Sequence, residues 1–146
     1  MKIKKLGTLN LVGLIGDGSK TTELWNRFDE KTITVAGNAY EVRFYQEDAC
    51  DCFVGIEEDS SKSTGLITLI IPESEYAVFD VRVANGYDSE NDNMDKWLVA
   101  NKANYKQKEM NHKKYVVEIF SERFNEGIVE ICIPIERVCN GTEELL

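Results

Sequence analysis

Tyr40-Glu-Val-Arg-Phe-Tyr45 and Tyr115-Val-Val-Glu-Ile-Phe120 are two six-residue runs that begin on tyrosine, end on an aromatic ring and are rich in β-type residues. Each is predicted to be a strand, with successive side chains on opposite faces. Reading outward from them, a second strand follows each run: Phe53-Val-Gly-Ile-Glu57 after the first, Val129-Glu-Ile-Cys-Ile133 after the second. A tryptophan-bearing helix precedes each. Leu24, Trp25 and Phe28 recur at helical spacing through Glu30, and Met94, Trp97, Leu98, Asn101 and Tyr105 form the second stripe. A strand precedes each helix, over 3–15 (Leu9, Leu11 and Ile15 one way, Val12 and Leu14 the other) and over 76–84. The order is β-α-β-β twice. The predicted fold class is α+β: a tandem βαββ repeat with pseudo-twofold symmetry, antiparallel sheets, one main helix per repeat and a central cleft. One domain is expected over 1–146, with repeat one about 1–60 and repeat two about 66–136. The seam between packed units is where small-molecule sites form.

The punctuation agrees with this order. Gly16-Asp17-Gly18 reads as a turn, and Ser19, Thr21 or Thr22 can cap the first helix by accepting an unpaired backbone N–H. Asp88 or Ser89 is expected to cap the second, with Asp92 suiting the helix dipole. Residues 59–65 are polar and serine-rich and read as a linker, after which Leu66–Ile71 is an apolar strand ended by Pro72. Residues 106–114 read as a polar loop, and the tail from Glu136 as ragged.

The 146 residues are 42% apolar and 10% aromatic, enough for a core. Lys and Arg number 17 against 26 Asp and Glu, a formal charge of −9. That balance argues against a direct grip on nucleic acid or on an anionic membrane. No run reaches the length of a membrane-spanning helix, and the basic start lacks a signal-peptide core, so a cytoplasmic location is expected. Asn140-Gly-Thr142 is then a chance match to a glycosylation acceptor. Cys50, Cys52, Cys132 and Cys139 are read as free thiols; their spacings, with His112 the single histidine, do not suit zinc, and no cofactor is expected. The run from Gly13 to Thr21 imitates a phosphate loop, but Ser19 separates the last glycine from Lys20 and the register fails.

Glu118 is the informative anomaly. It shares a strand face with Val116 and Phe120, while Tyr115, Val117 and Ile119 face the other way. A buried carboxylate there is protonated, paired or waiting for a cation; an exposed face or edge strand is the alternative. Its repeat counterpart is Arg43, which could pair with it across the seam. Glu130 is a second candidate carboxylate, whereas Glu41, Glu57 and Glu58 lie near strand ends and are read as solvated. Trp25, Tyr45, Phe53, Tyr76, Trp97 and Phe120 are core rings or, where they line a cleft, faces for planar or quaternary cations.

Pro72-Glu-Ser-Glu-Tyr76-Ala-Val-Phe79, Trp97 on a helix, Val117-Glu118-Ile-Phe120 and Glu130-Ile-Cys-Ile-Pro134-Ile135, in this order, resemble the GyrI-like small-molecule-binding domain, the effector-binding domain of bacterial AraC-type and MerR-type multidrug regulators. The resemblance implies a cleft with Glu118 as counter-charge for lipophilic cations and Trp97 with nearby aromatics stacking on the ligand. The ligand-binding set expected is Glu118, Trp97, Phe120, Tyr45, Phe53 and Tyr76, in a stand-alone, non-catalytic module of transcription regulation. Two alternatives remain: a hydrolase that detoxifies a reactive electrophile, and a gyrase-inhibitor-like regulator with a protein partner. The family's tyrosine after the glutamate is Phe120 here, which removes a hydroxyl a hydrolase would use.

Overall fold

The computed structural model describes residues 1–31, 37–58 and 65–138. Cys139, the glycosylation-like triplet at 140–142 and nearly all of the expected linker lie outside these. The elements are β1 (Lys2–Leu6), β2 (Leu9–Asp17), α1 (Thr21–Lys31), β3 (Ala39–Tyr45), β4 (Cys50–Glu57), β5 (Ile67–Ile71), β6 (Ser74–Arg82), α2 (Asp88–Ala100), β7 (Tyr105–Gln107), β8 (Glu109–Met110), β9 (Lys113–Phe120) and β10 (Ile128–Arg137). The chain is α+β, with one antiparallel sheet in the order β1-β6-β10-β9-β3-β4-β2-β5. The expected symmetry is there: β3-β4-β2 on one side of the β3–β9 seam answers β9-β10-β6 on the other.

The structure departs from the sequence expectation in four places. Residues 3–15 are not one strand. The chain breaks at Gly7-Thr8, so β1 pairs with β6 while β2 pairs with β4 and β5. The expected polar loop at 106–114 contains β7 and a β8–β9 hairpin. Met110 sits opposite Lys113, and the two turn residues Asn111 (φ 52) and His112 (φ 65) are left-handed, which matches a two-residue turn to strand twist. Tyr105 belongs to β7, not to the helix stripe, because the Asn101 amide donates to the Trp97 carbonyl and closes α2. Tyr87, without a side-chain cap bond, occupies the N-cap of α2, and Asp88 falls in its first turn.

Two short connectors curl the sheet. Gly7-Thr8 joins β1 to β2, and Pro72-Glu73 joins β5 to β6, although each pair belongs to opposite ends of the sheet. Three Cα steps of about 3.8 Å hold those ends together, so the sheet wraps into a half-barrel. The concave face closes on Leu11, Tyr40, Val42, Phe53, Ile71, Tyr76, Tyr115 and Val117. Both helices lie on the convex face. Leu24 and Phe28 of α1 cover Cys52 and Val54, and Met94 of α2 packs with Phe79, Val116, Ile131 and Ile133. The glycine run that imitates a phosphate loop serves this packing. Gly13 pairs with Gly55, and a Cβ on Gly13 would lie 1.8 Å from the Val54 carbonyl oxygen.

Candidate functional site

Between α1 and α2 the convex face stays open at the seam. Strand register decides what lies there. Glu41 is directly opposite Glu118, and Arg43 is opposite Val116, so alternation places all four on the convex face. They floor a cleft of about 850 Å³, within the roughly 300–1,000 Å³ typical of small-molecule sites. Tyr87, Asn91, Met94, Asp95 and Leu98 of α2 form one wall; Val83, Phe120, Phe124, Ile131 and Ile133 supply further apolar surface. Tyr45, Val83 and Phe124 are among the large apolar side chains that stay exposed, at 44%, 38% and 47%, and all three line this cleft.

The floor is charged, and its carboxylates are buried. Glu118 and Glu41 are only 5% and 6% exposed. Arg43 Nε donates to Glu118 Oε2 at 2.6 Å, and its terminal nitrogens donate to Glu41 Oε2 at 3.1 Å and to the Gly18 carbonyl at 3.1 Å. The Trp25 indole N–H reaches from α1 to Glu41 Oε1 at 2.7 Å. Burial pushes the Glu118 carboxyl above its ordinary value; Arg43 pulls it back and Glu41 pushes it further up. For Arg43, burial acts to lower its pKa, but the neighbouring Glu118, with Glu41 adding to it, holds it above its ordinary value. Burial raises the Tyr87 hydroxyl, and Glu118 and Glu41 add to that, as expected for a ring near both carboxylates. Asp95 and Lys114 complete the charged lining, so three carboxylates face two cations in the cleft.

The six residues expected from sequence separate. Glu118, Tyr45 and Phe120 line the cleft together. Trp97 stands beside it in α2, stacked on Tyr105 at 5.8 Å and edge-on to Phe79, and does not line the cleft. Phe53 and Tyr76 are fully buried in the concave core on the other side of the sheet. Alternation assigns each to a face, but which face carries the cleft depends on where the helices dock. Glu130 lies near Arg123 at 3.5 Å, outside the cleft lining. Glu57 is exposed and accepts from the Tyr40 hydroxyl. Glu41, read as solvated, is buried under the Trp25 indole. Tyr87 and Phe124 carry no signal in the sequence, and Leu98 reads there only as part of the helix stripe. Glu41 had a signal: it stands two residues from Arg43 on the same strand face.

No protein-family model matches the sequence, and no curated protein matches it. Solved structures do. The structure of SAV2435 bound to tetraphenylphosphonium is similar at 16% identity and TM-score 0.62, over 92% of this chain and 93% of that one. The EcmrR C-terminal domain is similar at 15% identity and TM-score 0.64, over 94% and 97%. A hydrolase from Listeria innocua is similar at 7% identity and TM-score 0.54, over 92% and 90%. At these identities the likeness is one of fold, and the fold is the GyrI-like one.

Proposed function

We propose that the chain is an effector-binding module that takes hydrophobic, cationic small molecules into the cleft between its two βαββ units. The observation that carries this reading is the unequal use of the floor charges. Both oxygens of Glu41 and all three nitrogens of Arg43 have partners, whereas Glu118 Oε1 has none among the described residues and Glu118 lines the cleft. An anion would meet a guanidinium whose charge two buried carboxylates already offset. A cation would meet a half-used carboxylate in a desolvated setting, where charge pairing is stronger than at the surface. Tyr45, Tyr87, Phe120 and Phe124 offer ring faces, each contributing about 0.5–2 kcal/mol to a cation above it. The cation-bound structure of SAV2435, which shares the fold, supports the same reading.

The test is calorimetric titration with tetraphenylphosphonium and, as neutral counterpart, triphenylphosphine oxide. The cation is expected to bind more tightly. Glu118→Gln is expected to weaken it about 10-fold or more, equivalent to about 1.4 kcal/mol, and to leave the neutral compound unaffected. Equal affinities for both compounds, unchanged by Glu118→Gln, would remove the charge argument. Incubation with a reactive electrophile such as an epoxide separates binding from the hydrolase alternative: unaltered recovery supports binding, and turnover supports hydrolysis.

A further inference from the structure

Glu41 and Glu118 sit directly opposite one another on the same sheet face. Like charges in that position destabilise a strand pair. Arg43 lies between them and relieves this, but its partners are not equivalent. If Arg43 leaves Glu118, it keeps Glu41 and the Gly18 carbonyl, at 3.1 Å each. If Glu118 loses Arg43, it has no other partner among the described residues. Arg43 keeps 23% of its side chain exposed, so it borders the cleft and is not locked in the core.

Building on the binding reading above, we propose that Arg43 is a built-in counter-ion and the specificity filter of the cleft. An incoming cation at the free side of Glu118 competes with its bond to the Arg43 Nε, and Glu41 with the Gly18 carbonyl, at the entry to α1, keeps hold of the guanidinium as that bond loosens. A tethered guanidinium competes at high effective concentration. A small hydrated cation loses that contest, because it must shed water and brings no apolar surface. A lipophilic cation wins it, because the cleft walls bury its rings and add to the charge term. The filter thus selects charge and apolar area together.

Two measurements test this. Arg43→Gln is expected to bind tetraphenylphosphonium about fivefold more tightly or better, in the range of ordinary coupling between sites. It is also expected to bind tetramethylammonium, which the wild-type protein is expected to exclude. Arg43→Lys keeps a tethered charge and is expected to retain the exclusion of tetramethylammonium. Because Arg43→Gln leaves the two carboxylates facing each other and can fail to fold, the second measurement uses the wild-type protein. The arginine Nε–H resonance of Arg43 in an ¹⁵N spectrum is expected to shift strongly at saturating tetraphenylphosphonium. Wild-type binding of the cation with an unmoved Arg43 resonance, or with Arg43→Gln binding no tighter, overturns the filter while leaving the binding reading intact. Absence of cation binding in wild type and variants alike overturns both.

Discussion

The two helices occupy equivalent places in the two βαββ units and behave differently. Helix α1 closes onto the sheet: Leu24 and Phe28 are buried on Cys52 and Val54, and Trp25 donates a hydrogen bond to the floor. Helix α2 buries only Met94, and Tyr87, Asn91, Met94, Asp95 and Leu98 border the cleft instead. The difference lies in composition. The inner face of α1 is a continuous apolar patch, whereas in α2 Asn91 and Asp95 flank Met94 and keep part of its inner side wet. One unit thus seats its helix on the sheet, and the other leaves its helix bordering the cleft. The same asymmetry continues at the seam, where β3 brings Glu41 and Arg43 and β9 brings Val116 and Glu118.

The contrast between the helices can be broken by truncation. Phe28→Ala should cost about 3–5 kcal/mol in urea unfolding, and Met94→Ala only about 2 kcal/mol, because its site already borders open space. Equal losses would mean that α2 is packed as firmly as α1. A smaller effect sharpens the contrast across the seam. The folded Glu118 carboxyl titrates above its ordinary value near 4.5, mainly through burial. A raised value means that this group's stabilisation is full below the unfolded pKa and is lost as pH rises through the folded one. Glu118→Gln, in which Arg43 still holds Glu41 and the Gly18 carbonyl, should therefore melt at or above the wild-type temperature at pH 7. The gap should close as pH falls toward 4.5. Widening of that gap on acidification would reverse the sign of the argument. The smallest effect belongs to the hairpin that precedes β9 in the second unit. His112 is left-handed at φ 65, so His112→Gly should gain under about 1 kcal/mol by removing a strained side chain. A loss of stability would show that the imidazole contributes more than its backbone costs.

Alternation and helical spacing were enough to read β3, β4, β9, β10 and both helices, because each pattern is local. They also set Glu118 on one strand face with Val116 and Phe120, and Arg43 as its counterpart. Glu41 was misread because its burial comes from Trp25, 16 residues away on α1. Phe53 and Tyr76 were candidates for the same reason that Tyr45 was: an aromatic on a strand shows its face but not what covers it. The hairpin at Asn111-His112 was missed because both residues take left-handed backbone without glycine to signal it.

By itself the sequence determined the α+β class, the repeat of βαββ and the isolation of Glu118 among apolar neighbours, since periodicity and charge are properties of adjacent residues. Only the tertiary structure decided that β1 and β5 exchange between the ends of the sheet, that both helices dock on one face, and that two carboxylates share one guanidinium there. Those outcomes depend on strand order and register, which bring together residues as distant as Arg43 and Glu118. No local pattern encodes that distance.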